Sequence, residues 1–387
     1  MHENETSGAD LIARNIVAKG IRKIFTVPTP ELQPLIDALR YIEDIEVVEA
    51  RNETAAAGIA DGYVRSSRCR AVALTDRRGK ALSQISAVTN AWADKIPLIA
   101  IALCEDGPPD PNKGVDRHLL NQKEAFRAVT RWRTRLEKPE DISFAMDKAI
   151  LETASNRMGP VYIDIPRGLL DESVFDTAGT AQIDAAAEEK EVQPMRLAGD
   201  PEAVARAARL IQKARRPLVI CGAGVKSSFA CRDLNEFMEK FGIPGATSMA
   251  GMGCIPVNHP LNLGGPSYAA GEAFHVAIKK ADVVIGLGTA FGGLEGFGLP
   301  PLWSDGISFV HVDMDPLQLG LNVQPEVSVQ GDVKTVLEQL DDCLVEEGFA
   351  ASAKWDFWRG MLGNLKRDRQ KRLEKNANLK SDNIHQG

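Results

Sequence analysis

Short apolar runs and segments of helical periodicity alternate along the first part of the chain. The runs, rich in β-branched residues or alanine, predict buried strands at residues 24–27, 47–48, 71–75 and 97–102. Apolar residues spaced three or four positions apart predict helices at residues 8–20, 31–39 and 83–93. Strands that alternate with helices are typical of a parallel sheet covered on both faces.

A second alternating series begins near residue 200, with strands predicted at residues 216–221, 282–287, 308–313 and 327–330. Residues 176–199 carry little apolar periodicity and are predicted to be a linker. The predicted fold class is α/β, with two doubly wound parallel-sheet (Rossmann-like) domains. Their predicted bounds are residues 1–175 and 200–345, and residues 346–387 are predicted to be a charged C-terminal linker or tail.

Charge and composition argue against several classes of function. A net charge of −7 gives no reason to expect a nucleic-acid or membrane partner, and no apolar run approaches the ~18 residues of a membrane span. The polar, acidic N-terminus is unlike a signal peptide. The six cysteines contain no Cys-x-x-Cys pair, which favours free thiols, a cytoplasmic location and no metal site in this chain.

Glu53 lies where the strand at residues 47–48 passes into an alanine-rich helix. A helix N-terminus favours an ionised carboxylate at this position. The small residues that follow, among them Ala56, Ala57 and Gly58, allow another group to approach the helix closely. An alternative interpretation is an ordinary packing helix with an acidic first turn.

The order Glu53, Ala56-Ala57, Ala60-Asp61-Gly62-Tyr63 and Arg65 resembles the pyrimidine-binding domain of thiamine-diphosphate enzymes of the acetolactate synthase and pyruvate oxidase type. In that family the motif glutamate hydrogen-bonds N1′ of the cofactor's aminopyrimidine and promotes formation of the thiazolium ylid. The resemblance implies that Glu53 is both catalytic and cofactor-binding. It also implies cofactor contacts at Pro28 and at Gly79, which survives from the family's Gly-Pro-Gly loop.

The remainder of that loop departs from the family, because Arg77, Arg78 and Lys80 bring three cations to the end of a predicted strand. Ligands of open α/β sheets bind at such ends. The three side chains are therefore candidate contacts for a substrate carboxylate or phosphate. The alternative is a solvated basic loop.

Two further catalytic candidates follow from the resemblance. Asn121-Gln122 lies just before a segment similar to the family's Phe-Arg-Pro-x-Thr-Lys, which places Gln122 and His118 near the reacting centre. For His118 the alternative is an exposed loop histidine. The family's last strand of this domain is matched by residues 159–166.

The second domain resembles the family's middle domain, which holds FAD or ADP in some members. Gly222 and Gly224 open a glycine turn, but Ser227 stands where a dinucleotide motif needs its third glycine, so FAD stays undecided. The family's third domain, marked by Gly-Asp-Gly and a later Asn that bind Mg²⁺ and the diphosphate, has no counterpart in residues 1–387.

The resemblance therefore implies one subunit of a split thiamine-diphosphate enzyme. It would make or break a carbon–carbon bond next to a carbonyl, on a 2-oxo acid or aldehyde. Mg²⁺ and the diphosphate would be held by a partner subunit, in a heterotetramer. One alternative is a catalytically dead relative that acts as a binding or assembly subunit. Another, a nucleotide-binding protein with no thiamine role, leaves the motif at Glu53 unexplained.

Overall fold

The computed structural model describes residues 5–77, 79–106, 121–155, 157–175, 191–193, 195–266, 271–349 and 353–377. The chain divides into two compact units, residues 1–193 and 194–387. The predicted positions His118 and Arg78 lie outside the described residues.

The first unit is built on a parallel sheet. Its strands are β1 (Glu5–Ser7), β2 (Lys23–Thr26), β3 (Glu46–Glu49), β4 (Ala71–Thr75), β5 (Ile99–Cys104), β6 (Trp132–Arg135), β7 (Val161–Pro166) and β8 (Ser173–Phe175). Six of them form one sheet in the order β3-β2-β4-β5-β7-β6, and β1 pairs with β8 in a small antiparallel ribbon. The helices are α1 (Gly8–Ala18), α2 (Gln33–Arg40), α3 (Glu53–Ser67), α4 (Ile85–Ala93), α5 (Gln122–Ala125) and α6 (Asp141–Ala154).

Alternate residues of each strand bury on opposite faces of this sheet, as the pleat requires. Ile24 belongs to a core shared with α1, α2 and α6, whereas its neighbour Phe25 belongs to a core shared with α3 and α4. On the second face, buried alanines of α3 meet alanines of the strands. This small-on-small packing lets α3 lie close to the sheet.

The second unit has a parallel sheet of its own. Its strands are β9 (Pro217–Cys221), β10 (Gly245–Thr247), β11 (Val283–Leu287), β12 (Ser308–Asp313) and β13 (Val327–Gln330). They lie in the order β10-β9-β11-β12-β13. Its helices are α7 (Pro201–Lys213), α8 (Ala223–Ser227), α9 (Cys231–Phe241), α10 (Glu272–Lys280), α11 (Val333–Glu346) and α12 (Asp356–Ala377). The two parallel sheets with helices confirm the predicted α/β, doubly wound class.

The segment around α12 packs into the core of the second unit. Trp355, Trp358 and Leu362 are buried there. The indole N–H groups of the two tryptophans donate to the carbonyl oxygens of Ala214 and Pro217, each at 3.0 Å. No described helix is both long and apolar enough to cross a membrane.

Candidate functional site

Glu53 stands at the carboxyl edge of the first sheet, because α3 begins shortly after β3 ends. Glu49, the last residue of β3, pairs with Thr26 of β2. The chain then turns, and the Asn52 side chain caps α3 by accepting a hydrogen bond from the Ala55 N–H at 2.8 Å. Asn is among the best N-cap residues, so the helix starts with Glu53 in its first turn.

The Glu53 carboxylate is half-buried. Among the described residues, no group hydrogen-bonds or ion-pairs with it. The neighbouring Thr54 hydroxyl instead donates to the carbonyl oxygen of Ser83 at 2.5 Å, which ties the first turn of α3 to the segment after β4. The arrangement presents a carboxylate at a helix N-terminus with its hydrogen-bonding capacity unused by the described chain.

One face of α3 remains open beyond this first turn. Gly58 and Gly62 are exposed, and a Cβ added at either position would meet nothing within 4 Å. Ile59, between them, is 44% exposed. The outward face of the helix is therefore small and partly apolar, whereas the inward face carries buried Ala56, Ala57 and Ala60.

The loop after β4 holds the predicted cation cluster. Gly79 has a φ of +76°, which favours glycine, and a Cβ there would meet open space. Lys80 pairs with buried Asp76 at 3.1 Å, and Asp76 also accepts the Arg77 N–H at 2.6 Å. Both described cations of this loop therefore contact carboxylates of the same chain.

Arg77 bridges two neighbouring loops. Its guanidinium lies 2.6 Å from Glu31, which follows β2, and 2.6 Å from Glu105, which follows β5. The hydrogen bond to Glu31 is the main reason that the pKa of Arg77 is raised. Glu31 also contacts Arg167, which follows β7, at 3.2 Å. These four residues, which we call the edge cluster, join the carboxyl ends of four neighbouring strands.

The loop after β2 contributes the predicted cofactor contact Pro28, which is exposed. Beside it, the Thr29 hydroxyl oxygen is buried and has no hydrogen-bond partner in the described part of the chain. The same holds for the hydroxyl oxygen of Thr75, the last residue of β4.

Gln122 is placed differently from the other predicted residues, because its side chain points into a buried network. Its amide nitrogen donates to the Leu103 carbonyl at 3.0 Å and to Asp164 at 3.1 Å. The Tyr162 hydroxyl donates to the same Asp164 carboxylate at 2.6 Å. Burial raises the pKa of Asp164, and the hydrogen bonds and Arg135 offset that rise only in part.

The structure thus brings Glu53, Pro28, Gly79, Arg77 and Lys80 to one edge of the first sheet. Gln122 belongs to a buried network under α5. Sequence reasoning missed Glu31, Glu105 and Asp164 as contributors. The sequence could have pointed to Asp164, since it lies inside the segment that matches the family's last strand. Neither glutamate belongs to a motif.

The glycine turn of the second unit has a packing explanation. A Cβ at Gly222 would lie 2.2 Å from the Gly288 carbonyl oxygen, so the turns after β9 and β11 touch through their backbones. The N–H of Gly224 donates to that same oxygen at 3.0 Å. The two glycines are required by this contact, whether or not a nucleotide binds.

Comparison with known proteins extends over both units. The model of the thiamine pyrophosphate enzyme N-terminal TPP binding domain matches residues 6–124, and that of the thiamine pyrophosphate enzyme central domain matches residues 204–340. A probable acetolactate synthase large subunit of Methanocaldococcus jannaschii is 30% identical over 341 residues, which cover 87% of this chain and 56% of that protein.

Two further relatives carry similar names. The acetolactate synthase large subunit of Buchnera aphidicola subsp. Schizaphis graminum is 26% identical, with 96% of this chain and 64% of that protein covered. Acetolactate synthase 1, chloroplastic, of Zea mays is 28% identical, with coverages of 93% and 55%. The chain therefore spans less than two thirds of the length of each of these relatives. On these matches the chain belongs to the thiamine pyrophosphate (thiamine diphosphate) enzyme family, in which it comprises the N-terminal and central domains and is similar to acetolactate synthases.

Proposed function

We propose that this chain supplies the aminopyrimidine half of a thiamine-diphosphate site that makes or breaks a carbon–carbon bond next to a carbonyl. The observation that carries the proposal is Glu53, a half-buried carboxylate in the first turn of α3 with no partner among the described residues. Similarity to acetolactate synthases supports a 2-oxo acid or an aldehyde as substrate.

The residues at this edge fit an aminopyrimidine. A heteroaromatic amine offers both N–H donors and ring-nitrogen acceptors. The edge offers a carboxylate as acceptor and two buried hydroxyls, Thr29 and Thr75, whose hydrogen-bonding capacity is unused by the described residues. Exposed Pro28 and the open space above Gly79 leave room beside them.

Glu53 would hold or move a proton at N1′ of the pyrimidine. The helix N-terminus favours a negative charge at this position. Thiamine diphosphate, when bound, supplies the electron sink for the bond that is made or broken. Gln122 would act as a positioning residue, because its amide is held by Asp164 and Leu103.

We place the Mg²⁺-diphosphate half of the site on a partner polypeptide. Residues 1–387 contain no Gly-Asp-Gly motif. In the described ranges, no group of three or more His, Cys, Asp or Glu side chains is arranged to hold a metal. A hard cation such as Mg²⁺ needs several oxygen ligands. The relatives, which are longer than this chain, support a further domain, and a heterotetramer with two copies of each subunit is the assembly we propose.

A catalytically dead assembly subunit is the second candidate. The observation that favours it is the loop after β4, where Arg77 and Lys80 form internal ion pairs in place of the family's Gly-Pro-Gly. Ion pairs of this kind engage both cations within the chain, so that less of their charge is offered to a ligand.

One experiment separates the two candidates. The tagged chain is isolated with its partner from the cells in which it occurs, and bound thiamine diphosphate is measured by oxidation to thiochrome. The catalytic proposal predicts about one cofactor per chain, lost on chelation of Mg²⁺. A complex that contains the partner but no cofactor, and takes up none with added Mg²⁺, would support the assembly role and contradict the catalytic one.

A further inference from the structure

The edge cluster crosses the carboxyl ends of β2, β4, β5 and β7. Arg77, after β4, is its centre, and the Arg77 side chain is 16% exposed. Each of its two terminal nitrogens contacts a different carboxylate at 2.6 Å, one on Glu31 and one on Glu105. Arg167 contacts the second oxygen of Glu31 at 3.2 Å.

This geometry uses the two terminal nitrogens of the guanidinium within the chain. A planar, forked cation holds two carboxylates in fixed directions, and a lysine ammonium at the same place could not reproduce both contacts. An incoming substrate anion would therefore compete with Glu31 and Glu105 for this guanidinium.

We propose that Arg77 is a positioning residue that ties the loops after β2, β4 and β5 into one arrangement, and that it is not an anion-binding residue. The three loops it joins carry Pro28, Gly79 and Glu105. Without this clamp by Arg77, the loop after β4 would lose its direct side-chain contacts with Glu31 and Glu105. The local turns of the loops after β2 and β4 include single hydrogen bonds from Leu32 N–H to the Thr29 carbonyl oxygen and from Leu82 N–H to the Gly79 carbonyl oxygen, each 3.1 Å long.

Arg77 is also connected to the helix that carries Glu53, through one further contact. The loop after β4 continues into a short 3-10 helix, Lys80–Gln84. The Ser83 carbonyl of that helix accepts the Thr54 hydroxyl, in the first turn of α3. Arg77 therefore sets the position of the segment against which Glu53's helix begins. This consequence for catalysis rests on the proposed function, whereas the clamp itself does not.

Hydrogen exchange of the full-length chain tests the clamp without any cofactor. Exchange is compared for wild type, Arg77→Ala, Arg77→Lys and Glu105→Gln by mass spectrometry of peptides that contain Leu32 or Leu82. The matched control is Arg65→Ala, since Arg65 also bridges two carboxylates, Asp61 at 2.9 Å and Asp94 at 2.7 Å, at the far end of α3.

We expect Arg77→Ala to accelerate exchange in both peptides by about tenfold, as for loss of charge-assisted hydrogen bonds that hold a local structure. Glu105→Gln should also accelerate exchange in the Leu82 peptide. Arg77→Lys should keep only part of the protection from exchange that the wild type shows. Arg65→Ala should leave both peptides unchanged. Unchanged exchange in Arg77→Ala, or equal acceleration by Arg65→Ala, would overturn the clamp. If Arg77→Ala fails to fold, the Glu105→Gln comparison decides alone.

A second measurement distinguishes a positioning role of Arg77 from anion binding by the direction in which the affinity for pyruvate changes. Pyruvate, a small 2-oxo acid, is titrated into the wild type, Glu105→Gln and Arg77→Ala chains. If Arg77 bound anions, Glu105→Gln would release its guanidinium and tighten pyruvate binding, and Arg77→Ala would abolish it. That result would overturn the proposal. We expect neither change, and in the assembled enzyme we expect Arg77→Ala to lower kcat while KM for pyruvate stays within about twofold.

Discussion

Glu53 and Glu49 are close in sequence but differ in environment. Glu49 ends β3, is exposed and pairs with Arg40 at 3.1 Å. Glu53 is half-buried, begins α3 and has no partner among the described residues. An exposed ion pair contributes little to stability. Glu49 is therefore a natural control for the loss of a carboxylate on this side of the sheet.

We expect Glu53→Gln to lower turnover of the assembled enzyme by about 10²–10⁴-fold, since the amide keeps the shape of the side chain but cannot exchange a proton. Glu49→Gln should leave turnover within about twofold, because it removes only a surface charge. Steady-state rates at saturating thiamine diphosphate measure both effects. A Gln variant at position 53 with near-normal turnover would remove Glu53 from the mechanism.

Asp164 makes a prediction about the pH dependence of stability. It is 2% exposed, and burial raises its pKa above the value in the unfolded chain. The folded state therefore binds the proton more tightly. The stability that this group contributes is fully present below about pH 4, the pKa of an unperturbed Asp, and is lost as the pH rises through the folded-state pKa.

We therefore expect the free energy of unfolding of wild type minus that of Asp164→Asn to fall as the pH is raised from about 4. Urea unfolding of both proteins across this pH range measures the difference, and the other carboxylates cancel in it. Tyr162→Phe is the control, since it removes a hydrogen bond but keeps the titrating carboxylate of Asp164. The free energy of unfolding of Tyr162→Phe minus that of Asp164→Asn, Tyr162→Phe should therefore fall with pH in the same way. A pH-independent difference would contradict the assigned pKa shift.

At the scale of elements, the two faces of α3 predict opposite responses to added atoms. Ala60 is fully buried against the sheet, so Ala60→Leu should destabilise the fold by about 1–3 kcal/mol through overpacking. Gly58 is exposed with open space around it, so Gly58→Ala should stabilise the isolated chain by about 0.5–1 kcal/mol. Thermal or urea unfolding measures both, and destabilisation by Gly58→Ala would mean that the outward face is not open.

The strands that the sequence predicts well are those buried on both faces. The runs at 71–75 and 97–102 are continuous and apolar, and they appear as β4 and β5 in the interior of the sheet. β6, Trp132–Arg135, escapes prediction because this edge strand alternates arginines with Trp132 and Thr134, and all four residues are half-buried. β10 escapes because three residues carry too little periodicity.

The residues of the candidate site also differ in how far the sequence predicts them. Glu53 could be predicted because its motif is local and its helix begins where the apolar run ends. The pairing of Arg77 could not, because Glu31 lies 46 residues and Glu105 lies 28 residues away in sequence. Only the order of strands β2, β4 and β5 in the sheet brings these three loops together, and strand order is not a local property.

At the scale of the whole molecule, each unit has cores of its own. The first unit buries one apolar cluster on each face of its sheet, and so does the second. A unit with its own core is expected to fold without help from another polypeptide. We therefore expect the chain to fold independently of the catalysis that we propose for it. A partner is proposed for catalysis and not for folding.

The last prediction follows from that separation. The purified chain should give a cooperative unfolding transition, yet show no turnover and no Mg²⁺-dependent binding of thiamine diphosphate, because we propose that it supplies only the aminopyrimidine half of the site. Adding the partner should restore binding, with a stoichiometry of two copies of each subunit by light scattering. Glu53→Gln should still assemble, which distinguishes a lost proton relay from a lost interface. Tight cofactor binding and turnover by the chain alone would contradict the split arrangement and place the whole site on this polypeptide.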